Sequence, residues 1–392
     1  MLLFIQSLLV YGMLAYLMYF FGVKAYNYQY PFGLLGFKRQ GIANGLKLLL
    51  FKTYFLFPIF IFCLVASLRF QVGVDTENYK HIFYDYLSGY DRYFLLEKGE
   101  IGFKYIIDFS SFIIPTHYLY LFLLAFLQIM PLYYGLCKHR YYLPFLGIAL
   151  IFSESFFSLM NIMRQGIAAC ILVAIVILFL EKKWIKVFFL LILAISFHKS
   201  AFIIIPIVLC IYPFQKGILD TKIQLLLFFL SFLLMDKLNV NLLSLSSFAG
   251  GAGYDVTQIN GYSNLEATTK SIGPVLLLQY MTYFIAIIYS KRMAYAFNSK
   301  LFNVFYNLFL LGTCLFVIFY NDFTVQRLLY YFRLFSPIVV SALLFLLWQG
   351  EKKGDRKMFM ITILLMFTYL LWELYKGTMD YPHEYVLYKF DL

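Results

Sequence analysis

Four arginines stand where long apolar stretches begin or end: Arg69, Arg164, Arg327 and Arg333. A charge at a helix centre in a bilayer costs about 2.5 to 3.5 kcal/mol on insertion scales, so each of the four needs a partner or a role. The guanidinium group stays ionised, and its planar fork matches phosphate oxygens two at a time. The four are therefore suited to seat a lipid-linked pyrophosphate; alternatively they snorkel to lipid phosphates or pair with Asp75, Glu100 and Asp322. Three further groups, Asp75, Glu100 and His198, can take a proton from a sugar hydroxyl, as glycosyl transfer onto an acceptor requires. Each also has a structural reading. Asp75 can cap a short helix or brace a turn after Gly73, Glu100 can pair with Lys98 or Lys104, and His198 can bond a backbone carbonyl freed at a turn. Tyr79, Asn161 and Gln165 lie beside these groups in the sequence. His81, His117, His139 and His383 lie in no such setting. The five cysteines, Cys63, Cys137, Cys170, Cys210 and Cys314, form no C-x-x-C pair and read as small apolar helix residues. Neither a disulfide framework, a metal site nor a cofactor is indicated.

What must position these groups is a set of membrane helices. Of the 392 residues 62% are hydrophobic and only 13% charged, against about 25% charged in an ordinary soluble domain, and mean hydropathy is +0.79. A soluble enzyme, a disordered chain and a disulfide scaffold are excluded. The fold class is all-α and polytopic, since backbone polar groups in lipid must be satisfied within the segment. Judged against a crossing length of about 17 to 25 residues, apolar windows fall near 2–21, 48–68, 117–136, 142–158, 166–180, 187–212, 223–235, 274–290, 301–319, 328–348 and 358–375.

The connecting loops alternate in character. Those at 22–47, 137–141, 181–186, 213–222, 291–300 and 349–357 carry basic clusters such as Lys38-Arg39, Lys182-Lys183 and Lys352-Lys353, which places them in the cytoplasm. Those at 69–116, 159–165, 236–273 and 320–327, with the tail from Lys376, are longer and mixed in sign. With basic loops on both its flanks, the stretch 187–212 must cross an even number of times. It breaks at Ser196-Phe197-His198-Lys199-Ser200, and so reads as a hairpin of two short or tilted helices with His198 at its external apex. About twelve membrane segments result. Counting Lys52 with the inner set, that side holds 19 basic and 4 acidic residues and the outer side 13 and 16. The net charge of +12 is thus an orientation signal, and nucleic-acid binding loses its support. The first apolar run has no basic residue before it and no small-residue cleavage site after it, and reads as a retained helix. No repeat of fixed period appears, and a single transmembrane domain over 1–392 is expected, with external loops at about 69–116 and 236–273. The most loop-like stretch, Ser244 to Lys270, contains Gly250-Gly251-Ala252-Gly253 but lacks the Lys and Ser/Thr of a phosphate-cradling loop.

All the candidate groups fall on the external side of this topology, in a definite order: Arg69, Gly73-Val74-Asp75, Tyr79, Glu100-Ile101-Gly102-Phe103, Asn161-Ile162-Met163-Arg164-Gln165, Phe197-His198-Lys199-Ser200-Ala201, then Arg327 and Tyr330, with Arg333 one face-turn beyond Arg327. That succession, over nearly the whole chain, resembles the EpsG family of bacterial membrane proteins, which is similar in role to the Wzy-type O-antigen and capsule polymerases. Asn-x-x-Arg-Gln ahead of an apolar helix and Phe-His-x-Ser-Ala at the end of the next are the most specific of the motifs. The resemblance implies a polymerase of polysaccharide repeat units in the bacterial inner membrane, transferring a growing undecaprenyl-pyrophosphate-linked glycan onto a second lipid-linked repeat at the periplasmic face. It implies a fold like the C-type glycosyltransferases and a co-polymerase partner that sets chain length. In those terms Arg164 and Arg327, supported by Arg69 or Arg333, bind the donor pyrophosphate without a metal. His198, or failing that Asp75 or Glu100, deprotonates the acceptor, a single displacement inverts the anomeric carbon, and Tyr79, Asn161 and Gln165 hold the sugars.

Three other classes compete. An O-antigen ligase shares the architecture and the arginines but uses a different acceptor. A lipid-linked oligosaccharide flippase places charges deep within several helices along a path, whereas the helix centres here are nearly charge-free. A membrane acyltransferase needs its own Arg and His pattern, which is absent.

Overall fold

In a computed structural model, residues 1–27, 42–89, 100–235, 237, 273–379 and 383–391 are described. Most of them are helical. In chain order the elements are α1 (Leu2–Asn27), α2 (Ile42–Ser67), β1 (Arg69–Phe70), α3 (Thr76–Ser88), α4 (Ile101–Ile113), α5 (His117–Leu136), α6 (Leu143–Ile151), α7 (Glu154–Asn161), α8 (Met163–Leu180), α9 (Trp184–Phe197), α10 (Ile204–Phe214), α11 (Thr221–Leu233), α12 (Pro274–Ile288), α13 (Ser290–Phe297), α14 (Lys300–Ile318), α15 (Phe323–Arg333), α16 (Phe335–Gln349), α17 (Lys353–Gly377) and β2 (Lys389–Phe390).

Among the described residues six helices are long and apolar enough to cross a membrane: α1, α5, α8, α14, the joined α15–α16 over Val325–Gln349, and α17. A seventh candidate is the pair Arg140–Ile151 and Glu154–Asn161, bent by 73° at its break. Over their fully described residues the remaining expected segments are apolar but shorter: Thr53–Ser67 within α2, Trp184–Phe197, Lys199–Phe214, Thr221–Leu233 and Pro274–Ile288.

Burial sorts the helices into a core and a rim. In α8, 78% of the apolar window is buried inside the protein, and its neighbours in space include α5, α9, α14 and α15. In α1 and α17 only 28% is buried. Their outward side chains, such as Leu9, Met13 and Tyr16 on α1 and Met360 and Leu364 on α17, are exposed apolar groups, as suits helices whose outer solvent is hydrocarbon.

Three expectations change. The window 142–158 is not one straight helix: the chain bends at Phe152-Ser153, where Ser153 and Glu154 interrupt the apolar run and Glu154 opens the first turn of α7. The stretch 69–116 is not an open loop, because its described parts contain β1, α3 and α4, and α3 buries Thr76, Tyr79, Lys80, Phe83 and Tyr86 on one face. The boundary at Arg164 shifts as well, since α8 begins at Met163 and carries Arg164 and Gln165 in its first turn. The break in 187–212 falls where the sequence puts it, with α9 ending at Phe197, His198 extended, and a 3-10 turn over Lys199–Ile203 leading into α10. Lys38-Arg39, Lys98, the glycine-rich run at 250–253 and most of 236–273 lie outside the described residues.

Candidate active site

The site is built on the corner between α7 and α8. Ile162 at the corner leaves helical geometry (φ −93°, ψ 62°), and a bend of this kind exposes carbonyls that lipid cannot satisfy. Two buried side chains answer them. Gln128, fully buried on α5, donates from Nε2 to the carbonyls of Leu159 at 2.9 Å and Met163 at 3.1 Å. Arg69, also fully buried, donates to the carbonyls of Met160 at 3.1 Å and Val72 at 3.1 Å, and to that of Ala66 at the end of α2. Gly166 makes room for the clamp, since a Cβ there would lie 2.7 Å from Gln128 Nε2.

The turn before α3 docks against the same corner. Gly73 has φ +87°, and a Cβ on it would meet Asn161 Cα and the Met160 oxygen at 3.0 Å, so both conformation and space call for glycine there. The Asn161 side chain accepts the backbone N–H of Asp75 at 2.8 Å. Asp75 is the cap residue of α3, with no side-chain bond to the helix.

Above the corner lies a three-membered polar cluster. Glu100, 5% exposed at the start of α4, divides its carboxylate between two partners: one oxygen pairs with Arg164 Nη1 and the other meets His198 Nδ1 at 2.9 Å. The Arg164 guanidinium also lies over the rings of Phe103 at 5.0 Å and Tyr79 at 5.9 Å, and the Tyr79 hydroxyl accepts the Arg164 backbone N–H at 3.5 Å. α4 reaches His198 because Gly102 lets it close on α9; a Cβ at Gly102 would lie 2.6 Å from Ser196 Oγ. Burial raises the Glu100 carboxyl pKa, but the His198 hydrogen bond and the Arg164 charge outweigh it and hold the group below its ordinary range. Burial lowers the His198 pKa, and the opposing pull of Glu100 does not restore it. An ionised Glu100 beside a neutral His198 places the imidazole proton on Nδ1, which makes Nε2 the ring nitrogen able to accept another.

α15 closes the cluster from the far side. Gln165 Nε2 donates to the carbonyl of Arg327, and Ser200 Oγ shares a hydrogen bond of 2.9 Å with the Tyr331 hydroxyl. Arg327 is exposed, and its charge helps keep His198 neutral. Arg333 goes elsewhere. Six residues on a helix turn through about 600°, leaving the two arginines roughly 120° apart around the axis. Arg333 instead pairs with Glu154 at the bend before α7 and lies 3.9 Å from the centre of the Phe316 ring.

The structure thus brings together Glu100, Arg164, His198, Tyr79, Gln165 and Arg327, with Asn161 and Asp75 on the adjoining corner. Arg69 lies beneath them with its donors on backbone carbonyls, and Arg333 forms a separate pair. Gln128, the clamp of the corner, is not among the residues singled out from the sequence, and Phe103 is named there within a motif without the role it has here, the face against Arg164. A lone amide in the apolar run 117–136 was the signal for the first.

A family model described as the EpsG family matches residues 52–390, a range containing every residue of this cluster. No curated protein and no solved structure matches the chain.

Proposed function

The chain belongs to the EpsG family, and from that premise of a membrane protein of polysaccharide biosynthesis we propose that it is the polymerase of lipid-linked repeat units. The donor is a growing glycan on undecaprenyl pyrophosphate and the acceptor a second lipid-linked oligosaccharide. The carboxylate of Glu100 shared between Arg164 and His198 is the observation that carries this reading, because it couples an anion-binding cation to a neutral imidazole in one small volume.

In the proposed reaction Arg164 and Arg327 engage the donor pyrophosphate, with charge-assisted hydrogen bonds that strengthen as negative charge develops on the leaving oxygen. Glu100 holds His198 by Nδ1. His198 Nε2 takes the proton of the acceptor hydroxyl as its oxygen attacks the anomeric carbon. The bond from that carbon to the pyrophosphate oxygen breaks, undecaprenyl pyrophosphate departs, and the configuration inverts. Tyr79, Asn161 and Gln165 border the sugar-binding side. Asp75 stands in reserve as a base, while Arg69 serves this chemistry by holding the corner.

The same proposal carries a topology: one domain, about twelve crossings, basic loops in the cytoplasm, and the cluster at the external face of the bacterial inner membrane, where nucleotide sugars are absent. Lipid-linked oligosaccharide, membrane lipid and a chain-length co-polymerase are the partners; the proposed chemistry uses no cofactor or metal.

The test is glycan laddering from a deletion strain complemented with wild type, Arg164→Ala, Arg327→Ala or His198→Ala, with membrane levels checked by immunoblot. Ladders from wild type, with single-repeat glycan from the deletion and the well-expressed variants, are expected. Complete loss of attached glycan in the deletion would point to a ligase or flippase, and normal ladders from all three variants would overturn the assigned site.

A further inference from the structure

The segment 385–391 returns from α17 across the bundle and is fastened at several points. β2 pairs antiparallel with β1, Arg69 opposite Phe390 and Phe70 opposite Lys389. The Tyr388 N–H donates to Ser7 Oγ at 2.7 Å and its hydroxyl to the Val65 carbonyl at 2.9 Å, while the Tyr11 hydroxyl donates to the Val386 carbonyl at 2.9 Å. The Tyr385 carbonyl accepts the N–H of Gly73 at 2.9 Å. The turn that docks on Asn161 is therefore gripped from its other side by the tail.

The last fastening is ionic. Asp391 Oδ2 meets Lys80 Nζ at 2.5 Å and His117 Nε2 at 2.8 Å, and the Tyr118 hydroxyl donates to the Asp391 carbonyl at 2.8 Å. His117 Nδ1 in turn meets the Tyr84 hydroxyl at 2.9 Å. Lys80 is only 8% exposed and its other carboxylate, Glu77, stands at 3.4 Å, so Asp391 is its principal counter-ion. A buried ammonium left without such a partner is strongly disfavoured. Lys80 follows directly on Tyr79, which touches Arg164 through its ring and hydroxyl. Helix α3 is thereby clamped, with Asp391 at one residue and the reaction cluster at the next.

We infer that Asp391 is a positioning residue for the transfer reaction: through its grip on Lys80 and His117, the 385–391 segment fixes α3 and the Gly73 turn, and so sets Tyr79 against Arg164. Asp391 touches none of the reacting groups. The inference rests on the polymerase reading above.

The experiment uses the full chain in lipid nanodiscs, with lipid-linked repeat extracted from the deletion strain as substrate, comparing wild type, Asp391→Asn, Asp391→Glu and the double variant Asp391→Asn with Lys80→Met. A displaced anchor of this kind is expected to lower kcat about tenfold to a hundredfold with KM near wild type, measured well below a thermal midpoint that itself falls because the buried Lys80 ammonium loses its counter-ion. Asp391→Glu is expected to recover most of the rate, and the double variant to be no slower than Asp391→Asn because both act through one contact. Wild-type kcat in Asp391→Asn overturns the inference. So does a loss that tracks a fallen thermal midpoint and is not rescued by Asp391→Glu. A wild-type chain that fails to extend the substrate overturns the polymerase reading instead, and the two failures are told apart by that control.

Discussion

Arg164 with Glu100 and Arg333 with Glu154 are the same two side-chain types in the same bundle, yet they face opposite ways. In the first pair the carboxylate is the hidden partner, 6% exposed against 22% for the arginine, and its second oxygen holds His198. In the second the arginine is the more hidden, 14% against 33%, and its face is covered by Phe316. A cation presented outward from a buried anion can take up phosphate oxygens without first losing its packing. A cation folded under a ring, beside a cavity of about 10 Å³ lined by Gln279, Tyr280, Tyr283 and Ser336, has room for water at most. The chemistry of an ion pair in a membrane is set by which partner is buried and by what the spare oxygen does.

The sharpest way to break this comparison is to neutralise the two carboxylates in turn. Glu100→Gln removes both the orientation of His198 and the counter-ion of Arg164, and is expected to cost about 10²- to 10³-fold in polymer formed per molecule. Glu154→Gln is expected to cost less than about tenfold, through local packing alone. Polymer yield in nanodiscs at matched protein levels measures both, and equal losses would erase the distinction between the pairs.

The pH dependence sharpens it further. His198 acts as a base only while neutral, and burial sets its folded pKa below its ordinary value of 6.5 in spite of Glu100. The wild-type rate is therefore expected to be flat near neutrality and to fall as pH drops through that lowered value. Glu100 raises the His198 pKa, so its loss in Glu100→Gln should move the acid limb of the residual rate to still lower pH, while Glu154→Gln should leave it in place. Stability runs in the same direction: the Glu100 pKa is depressed on folding, so its contribution is present above 4.5 and is lost as pH falls through the folded value. Initial rates across the pH range provide the check, and an acid limb that moves up in Glu100→Gln would contradict the arrangement.

How far the sequence discloses this site depends on whether the relevant distance is along the chain or through space. The break at His198 shows in the sequence because the run Ser-Phe-His-Lys-Ser interrupts an apolar stretch, whereas the reading of Arg327 and Arg333 as one face-turn apart fails, since six residues leave them about 120° apart and Arg333 pairs with Glu154. The partners of Glu100 do not show: local reasoning offers Lys98 and Lys104, whereas the partners found are Arg164 and His198, on two distant helices. Arg69 resembles Arg164 as a charged residue at a helix end, and only the carbonyls freed at Met160, far along the chain, decide that it braces. His117 reads as having no special setting for the same reason, since Asp391 lies at the other end of the molecule.

The smallest effect expected is at Gln128, and it separates scaffold from chemistry. Gln128→Leu removes both bonds across the corner, and leaving such buried carbonyls short of a donor costs about 1 to 3 kcal/mol. The Met163 carbonyl keeps its place in the first turn of α8, so the lower part of that range is expected. The corner carries Asn161, Arg164 and Gln165, whereas the Arg333–Glu154 pair sits at the bend before α7 and is not held by this clamp. Gln128→Leu should therefore lower the thermal midpoint and reduce the transfer rate by less than about tenfold, a smaller effect than expected for Glu100→Gln because every reacting group remains. Arg69 keeps its grip on Met160 in this variant, so the corner loosens without collapsing. Melting in detergent followed alongside the rate provides the measurement. A rate loss as deep as that of Glu100→Gln with an unchanged midpoint would move Gln128 from the frame of the site into its chemistry.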